Sequence, residues 1–352
     1  MTTTLQEFSD RIVQAAAART PLCIRGGGSK DWYGQDVQGT VLDTTAYRGI
    51  TDYEPTELVI SARCGTPLAE IEAHLAQHGQ MLAFEPPHFG PGATIGGTVA
   101  AGLSGPRRQA AGAVRDFVLG AVLVDGQGQV LHFGGKVMKN VAGYDVSRLL
   151  AGSLGVFGLV AEVSLKVLPR PVAECTVQLQ MTQDDALRRL NEWGGQPLPV
   201  SASSWHDGVL TVRLSGARSA VDAARTRIGG EPLDDADEWW RALREHEGAF
   251  FTDAGSLWRL SLPTVAPPLD LPGTQLIEWG GAQRWLRTDA GADAIRAAAV
   301  QAGGHATLFR GGDRRAGVFQ PLAPAVQAIH RQLKNAFDPA GVFNRGRMYK
   351  DF

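Results

Sequence analysis

Two glycine-dense segments in the N-terminal half consist of residue types that bind phosphate. The first is Ile24–Lys30 (IRGGGSK), and the second, about 60 residues later, is Phe89–Gly102 (FGPGATIGGTVAAG). Backbone N–H groups in a tight turn form a concave anion-binding surface, and glycine lets a ligand approach the main chain closely. Two such segments in one half of the chain predict a long phosphate-bearing cofactor that is held along its length.

Neither segment matches a common nucleotide-binding motif. The first lacks the Gly-x-x-x-x-Gly-Lys-Ser/Thr spacing of a P-loop. No strand–Gly-x-Gly-x-x-Gly–helix unit is followed by an acidic residue about 20 positions later, as a Rossmann fold requires. The sequence therefore favours a different phosphate-binding fold.

Composition restricts the class of protein. The chain has 352 residues, of which 44% are hydrophobic and 20% charged, which is typical of a globular protein with two domains. A net charge of −2 without a lysine/arginine block argues against nucleic acid. Cys23, Cys64 and Cys175 stand singly, which argues against a disulfide framework, a zinc site or an iron–sulfur cluster and favours a reducing cytoplasm. No signal peptide or long apolar run is visible, so we expect no membrane anchor in this chain.

Local patterns predict how the first glycine-rich half is organised. Residues 5–18 form an amphipathic helix, and a strand, Leu22–Arg25, leads into the first glycine segment. Thr66-Pro67 begins a helix that runs to His78, and a strand at Met81–Phe84 precedes the second segment. The Asp125-Gly126 turn joins Phe117–Val124 and Gln129–Phe133 in a hairpin, and the prolines at 169 and 171 mark a domain boundary.

The sequence changes in character after Pro171. Helices alternate with hairpins, one of which spans Ser201–Leu214, and glycine loops are absent. A polar segment follows residue 228. A helix at Ala292–Gln301 and a strand at His305–Arg310 follow, and the chain ends with a helix at 321–336 and a turn-rich tail. This order predicts an α+β second domain built on an antiparallel sheet.

Four further motifs accompany the glycine segments. They are VRDFVLG (114–120), KNVAGYD (139–145), GSLGVFGLVAEV (152–163) and NRGR (344–347). In combination, and over nearly the whole chain, these motifs resemble the FAD-binding fold of the vanillyl-alcohol oxidase and p-cresol methylhydroxylase superfamily. Within it, the chain is most similar to the smaller FAD-binding subunits of bacterial glycolate oxidase.

The resemblance implies an α+β fold with three parts. Residues 1–171 would form a PCMH-type FAD-binding domain of two subdomains, and residues 172–320 an α+β cap domain. Residues 321–352 would form a helix and a tail that return to the FAD domain. The residues that the resemblance places at the cofactor are Arg25, Gly26, Gly27, Gly28, Ser29 and Lys30 in the first segment, Pro87, Gly92, Thr94, Ile95, Gly96, Gly97, Thr98, Ala101 and Gly102 in the second, and Gly155, Gly158, Val160 and Asn344 further on.

The chain departs from the family at the positions that form covalent flavin links. Such members carry a histidine in the first glycine loop or a cysteine in the second. Here Gly26–Tyr33 contains no histidine and Phe89–Gly105 contains no cysteine. We therefore predict that FAD is bound non-covalently.

The chain also departs from the catalytic members, which carry closely spaced histidines and an acidic residue as a metal site. The histidines of the predicted cap and C-terminal segment are His206, His246, His305 and His330, which are widely spaced, so no metal site is predicted. His74 and His78 have an i, i+4 spacing but no third ligand, which favours a solvated helix. The catalytic residues are not assigned. The candidates are Lys139 and Tyr144, which face the flavin or the substrate or form a surface turn, and Arg314 and Arg315, which could clamp a carboxylate.

The function that the resemblance implies is that of one subunit in a glycolate oxidase (glycolate dehydrogenase) complex. The complex would oxidise glycolate, a small 2-hydroxy acid, to glyoxylate. Its other members would be a larger homologous FAD subunit and an iron–sulfur subunit that passes electrons to quinone. We expect a cytoplasmic location, with any attachment to the inner membrane made through the partners. Two alternatives stay open: a self-sufficient FAD-dependent 2-hydroxy-acid dehydrogenase, and a structural subunit with little catalysis of its own.

Overall fold

The structure is a computed structural model that describes residues 2–135 and 145–351. The helices of this part of the chain are α1 (Thr3–Ala18), α2 (Leu68–Ala76), α3 (Ile95–Ala101), α4 (Arg108–Ala111), α5 (Val114–Phe117), α6 (Val146–Leu149), α7 (Gln183–Gly194), α8 (Arg218–Ile228), α9 (Ala236–Glu245), α10 (Ala249–Thr252), α11 (Ala292–Gln301) and α12 (Pro324–Phe337). Short 3₁₀ turns occur at Trp279–Gly281 and Arg314–Ala316. Within the described ranges, no helix has the length and apolar character needed to cross a bilayer.

The described residues also form strands, which precede, separate and follow these helices. They are β1 (Leu22–Arg25), β2 (Thr40–Asp43), β3 (Ile50–Glu54), β4 (Val59–Arg63), β5 (Gln80–Met81), β6 (Val118–Val124), β7 (Val130–Gly134), β8 (Leu159–Lys166), β9 (Leu168–Pro169), β10 (Ala173–Gln180), β11 (Val200–His206), β12 (Val209–Gly216), β13 (Glu231–Pro232), β14 (Ser256–Ser261), β15 (Thr274–Glu278), β16 (Gln283–Thr288) and β17 (His305–Arg310). The predicted α+β class is confirmed.

The described residues divide into two compact units. The first lies within Met1–Leu103, Ala113–Pro169 and Pro321–Phe352, and the second within Ser104–Gly112 and Arg170–Gln320. The C-terminal helix and tail thus belong to the same unit as the two glycine segments.

The first unit is built on an antiparallel sheet in the order β3-β4-β8-β6-β7, with a separate parallel pair, β1 and β2. Helix α1 buries Leu5, Phe8 and Ile12, which recur at helical spacing and form one stripe. These side chains share a core with Phe343 of the C-terminal tail. The parallel pair therefore sits between the N-terminal helix and the tail, where β1 delivers the first glycine loop.

The second unit contains an eight-stranded sheet in the order β13-β10-β12-β11-β15-β16-β14-β17, in which every described pairing is antiparallel. Helices α7 and α8 pack against one part of the sheet through a cluster that includes Leu190 and Val221. Helix α11 packs against another part through Ile295 and Ala299. The predicted hairpin at Ser201–Leu214 is confirmed as β11 and β12, which meet at a turn with Asp207 at φ 48°.

Two local predictions were wrong at their boundaries. The strand expected at Met81–Phe84 is only Gln80–Met81, because the chain turns at once toward the second glycine segment. The helix expected from Thr66 begins at Leu68, since the Thr66 hydroxyl bonds the Arg63 carbonyl (2.7 Å) instead of capping the helix. The polar segment after residue 228, for which no element was predicted, contains α9, which buries Trp240 and Leu243.

A buried histidine in the second unit predicts a pH dependence of stability. His246 is only 7% exposed, and its ring stacks on Phe251 at a centroid distance of 3.9 Å. Burial lowers the pKa of His246 well below its usual 6.5, and the positive charges of Arg310 and Arg259 lower it further. In the unfolded chain the imidazole takes up a proton below about pH 6.5, whereas in the folded unit it stays neutral. Stability is therefore lost as the pH falls below that value.

We expect His246→Phe to remove this pH dependence while keeping the ring stack. For the wild type, His246 should contribute a decrease of up to about 1.4 kcal/mol in the free energy of unfolding for each pH unit below 6.5. Urea unfolding between pH 7.5 and 5, followed by tryptophan fluorescence, measures the slope. His132→Phe, at an exposed position of β7, is the matched control and should keep the wild-type slope. An unchanged slope in His246→Phe would contradict the assignment.

Candidate functional site

The two glycine segments lie in direct contact in the first unit. A Cβ atom added at Gly27 would lie 1.5 Å from the Gly92 carbonyl oxygen, and one at Gly26 would lie 2.4 Å from Thr94 Oγ1. A side chain at Gly27 would require the backbone of the opposite loop to move, and one at Gly26 would displace the Thr94 side chain. Lys30 Nζ adds a polar link because it donates to the carbonyl oxygen of His88 at 3.1 Å.

The second glycine segment contains a short helix that sequence reasoning missed. Thr94 is the N-cap of α3, and its hydroxyl accepts a hydrogen bond from the Gly97 N–H at 3.3 Å. A Cβ at Gly96 would lie 2.5 Å from Cys64 Cβ, so this glycine lets the helix pack against the core. A Cβ at Gly97 would meet only Thr94 Oγ1, at 3.3 Å. Apart from this tight contact and the atoms of its own helix, nothing lies within 4 Å of a Cβ at Gly97.

The C-terminal tail completes the site through Asn344. Its side-chain oxygen accepts a hydrogen bond from the Ile24 N–H (2.8 Å), and its side-chain nitrogen donates to the Leu154 carbonyl (2.6 Å). A Cβ at Gly155 would lie 2.7 Å from that nitrogen. One buried asparagine thus holds together β1, the turn before β8 and the tail, with its own backbone at φ 37°.

These elements enclose two adjoining cavities of about 90 and 60 Å³. Both are lined by Ile24, Gly26, Gly97, Ala100, Leu154 and Asn344. Of the residues predicted at the cofactor, those that line a cavity are Arg25, Gly26, Gly27, Gly28, Ser29, Lys30, Thr94, Gly96, Gly97, Ala101, Gly155, Gly158, Val160 and Asn344. The structure thus brings both glycine segments, β8 and the tail to one place.

Other residues from the same prediction lie outside the cavity linings. They are Pro87, Gly92, Ile95, Thr98 and Gly102. Gly92 is the contact point for the first loop, and Ile95 is fully buried in the core. Gly102 ends α3 in the left-handed conformation at φ 68°, where a Cβ would lie 2.6 Å from Gly152 Cα. These three positions shape the site through packing.

Sequence reasoning also missed several lining residues. They are Cys23, Ile24, Asp31, Thr44, Cys64, Ala100, Leu154, Leu159 and Arg347. Cys23 and Ile24 precede the first glycine loop directly, so their position beside it was a usable signal. Arg347 had only the tail motif to mark it.

Both cysteines at the cavities are poor nucleophiles. Burial raises the pKa of the Cys64 thiol to about 12 and also raises that of Cys23. The thiolate is the reactive form of cysteine, and these thiols stay protonated near neutral pH. Cys64 is 2% exposed, which further limits its reaction with a ligand.

Of the candidate catalytic residues, the structure describes Arg314 and Arg315. Lys139 and Tyr144 lie outside the described residues. Arg314 and Arg315 lie in a 3₁₀ turn of the second unit. The Arg315 side chain is 91% exposed and pairs with Asp313 at 2.7 Å, an arrangement typical of a solvated surface pair.

The residues present fit a flavin dinucleotide. Positions 26, 27, 97 and 155 could not carry a larger side chain without filling the cavities or pushing neighbouring loops apart. Main-chain N–H groups and Lys30 suit phosphate oxygens, and the apolar side chains of Leu154, Leu159 and Val160 suit a ring system.

Comparisons with known proteins agree with this site. Residues 1–134 match the family described as an FAD binding domain. The chain is 51% identical over 346 residues to the glycolate oxidase subunit GlcE of Escherichia coli K12, covering 98% of this chain and 97% of that protein. It is 27% identical to a D-lactate dehydrogenase of Archaeoglobus fulgidus over 66% of this chain and 54% of that protein. A solved structure of alkyldihydroxyacetonephosphate synthase shares the fold, with a TM-score of 0.65 and 16% identity over 96% of this chain and 75% of that one.

The fold and the site define an FAD-binding protein of the PCMH-type superfamily, as the sequence motifs predicted. The sequence identity to GlcE extends over nearly the full length of both chains, so the family of this protein can be stated more narrowly. The chain belongs to the family of the glycolate oxidase subunit GlcE.

Proposed function

We propose that this chain is the FAD-binding subunit of a complex that oxidises glycolate to glyoxylate. The observation that carries the proposal is the contact between the two glycine loops beside cavities lined by bare backbone. The identity to glycolate oxidase subunit GlcE supports the choice of substrate. FAD, when bound, would supply the acceptor for the hydride of a small 2-hydroxy acid.

Different residues of the first unit would bind different parts of FAD. The backbone of Gly26–Gly28 and the Lys30 ammonium would bind the phosphates. Gly97 and Gly155 would allow close approach of the remaining groups, and Asn344 would fix the loops that carry them. Because Gly26–Tyr33 contains no histidine and Phe89–Gly105 contains no cysteine, binding would be non-covalent.

Partner subunits would supply the other steps. This chain has three single cysteines, which are too few and too scattered for an iron–sulfur cluster. Two of them lie at the cavities, and the third, Cys175, belongs to the second unit. An iron–sulfur subunit would therefore carry electrons onward to quinone. The wide spacing of His206, His246 and His305 and the exposed, ion-paired Arg315 favour a larger homologous FAD subunit as the place of hydride removal.

We place the complex in the cytoplasm. Cys23, Cys64 and Cys175 are unpaired thiols, which suits a reducing compartment. Any association with the inner membrane would come from the partners.

The test adds glycolate anaerobically to two samples. One is the FAD-loaded chain alone, and the other is the complex of this chain with the larger FAD subunit and the iron–sulfur subunit. The comparison shows which subunits are needed for glycolate oxidation. We expect the visible flavin band of the isolated chain to stay unbleached and that of the assembled complex to decrease. Bleaching of the isolated chain would make it a self-sufficient dehydrogenase. No bleaching in either sample, with FAD bound in both, would contradict glycolate as the substrate.

A further inference from the structure

The larger cavity has a charged lining. Three cationic side chains, Arg25, Lys30 and Arg347, and one carboxylate, Asp31, are among its lining residues. The lining therefore carries an excess of two positive charges at neutral pH. A pyrophosphate bridge with two negative charges would match that excess.

The three cations differ in how they are held. Arg25 Nε lies 2.7 Å from Asp31 Oδ2, so this pair is neutral as a unit. Lys30 Nζ donates to the His88 carbonyl at 3.1 Å. Arg347 Nη2 donates to the carbonyl oxygens of Lys30 (3.2 Å) and Asp31 (2.9 Å). These two bonds hold the guanidinium against the first glycine loop.

The backbone around Arg347 is anchored on both sides. The Arg347 N–H donates to the Asn344 carbonyl at 3.0 Å, and the Arg347 carbonyl accepts from the Gln35 N–H at 2.9 Å. Asn344 is itself fixed by β1 and Leu154. The tail thus delivers a positive charge to a defined place on the first glycine loop, more than 300 residues away in sequence.

The charge of Arg347 acts inside the cavity. Burial raises the pKa of the Cys23 thiol, and the positive charge of Arg347 is the strongest effect that opposes this rise. Cys23 and Arg347 both line the cavity, so an anion bound there would feel the same charge.

We propose that Arg347 is a pyrophosphate-binding residue, whose guanidinium supplements the backbone N–H groups of the first glycine loop. The proposal rests on the proposed function, since it requires that this site hold a flavin dinucleotide. A guanidinium presents its N–H groups in a planar fork that suits phosphate oxygens. Lys30 would add a second charge from the other side of the loop.

The test compares Arg347→Met with Arg347→Lys and with Arg345→Met as a matched control. Arg345 is exposed, donates to the Gly341 carbonyl at 2.7 Å and is absent from the cavity linings. Quenching of flavin fluorescence on titration of the apoprotein measures the Kd for FAD and for riboflavin, which lacks phosphate, at two salt concentrations. Circular dichroism and the Tm of each apoprotein establish that it is folded.

For Arg347→Met we expect about a 10- to 100-fold weaker Kd for FAD, the effect of one lost charge-assisted contact. The salt dependence of that Kd should also decrease, while riboflavin binding stays unchanged. Arg347→Lys should recover part of the affinity, and Arg345→Met should behave as wild type.

Three results would overturn the proposal in distinguishable ways. A wild-type chain that fails to bind FAD overturns the proposed function and this inference with it. Wild-type affinity in Arg347→Met overturns the inference alone. Equal weakening of FAD and riboflavin shows that Arg347 only shapes the loop. If riboflavin binds too weakly to titrate, an unchanged salt dependence in Arg347→Met decides against the proposal.

Discussion

Gly97→Leu should give a folded apoprotein that no longer binds FAD. A Cβ at this position meets one neighbour, Thr94 Oγ1 at 3.3 Å, which a shift of a few tenths of an ångström relieves, and the rest of the side chain grows into both cavities. Gly97 lies in α3, where leucine favours the helix by up to about 1 kcal/mol over glycine. We therefore expect an equal or higher Tm of the apoprotein together with at least about a 100-fold loss of FAD affinity, equivalent to about 3 kcal/mol of binding free energy.

The opposite directions of the two effects make this variant informative. Gly194→Leu is a matched control because Gly194 is also helical, has nothing within 4 Å of its Cβ position and lies in the second unit. It should keep wild-type FAD affinity. Fluorescence titration and thermal unfolding of each apoprotein give both quantities. Wild-type affinity in Gly97→Leu would show that FAD does not occupy these cavities.

Lys334→Met should strongly lower the free energy of unfolding. We expect a larger decrease than for the other charge removals that we consider in the first unit. Lys334 and Asp338 form a 2.7 Å ion pair with side-chain exposures of 6% and 0%. Lys334 Nζ also donates to the carbonyls of Val156 (2.6 Å) and Phe343 (2.9 Å). The variant leaves a buried carboxylate without its cation, which typically lowers the free energy of unfolding by about 3–5 kcal/mol.

Arg331 of the same helix forms a second, exposed ion pair, against which the loss of stability in Lys334→Met can be compared. Arg331 and Asp351 are also 2.7 Å apart, but both side chains are 51% exposed. Arg331→Met should lower the free energy of unfolding by less than about 1 kcal/mol. The double variant Lys334→Met/Asp338→Asn should recover part of the loss, because it removes the uncompensated charge. Urea unfolding measures all three, and similar small losses in Lys334→Met and Arg331→Met would contradict the structural role.

The Lys334–Asp338 ion pair also helps to hold the cofactor site in place. Asp338 accepts the N–H groups of Val342 (3.0 Å) and Phe343 (2.8 Å), directly before Asn344. Burial lowers the pKa of Lys334, and the charge of Asp338 opposes that change. Partial loss of FAD affinity should therefore accompany the loss of stability in Lys334→Met, since Asn344 would no longer be held in place.

Sequence patterns predicted elements whose cause is local. The bounds of β1, α11 and β17 agree with the structure, because each has a continuous pattern ended by a turn or a glycine. The helix α3 was missed because Gly96 and Gly97 have low helix propensity. Its formation depends on the Thr94 cap and on packing against Cys64, and the second of these is a tertiary contact.

The site was predicted to the extent that it consists of glycine-rich backbone. Gly26 and Gly97 were found from composition and resemblance, since close approach selects glycine directly. Arg347 and Leu154 were not found, because their position at the cavity depends on how the tail passes β1. Nothing in local spacing determines a contact between residues so far apart in sequence.

The central claim is that this chain binds FAD non-covalently on its two glycine loops. The direct measurement is a visible absorption spectrum of the purified chain after incubation with FAD and removal of the free flavin, followed by acid precipitation. We predict a yellow protein whose flavin passes entirely into the supernatant and is identified there as FAD. A flavin that stays with the precipitate would contradict non-covalent binding, and a colourless chain that cannot be loaded with FAD would contradict the claim itself.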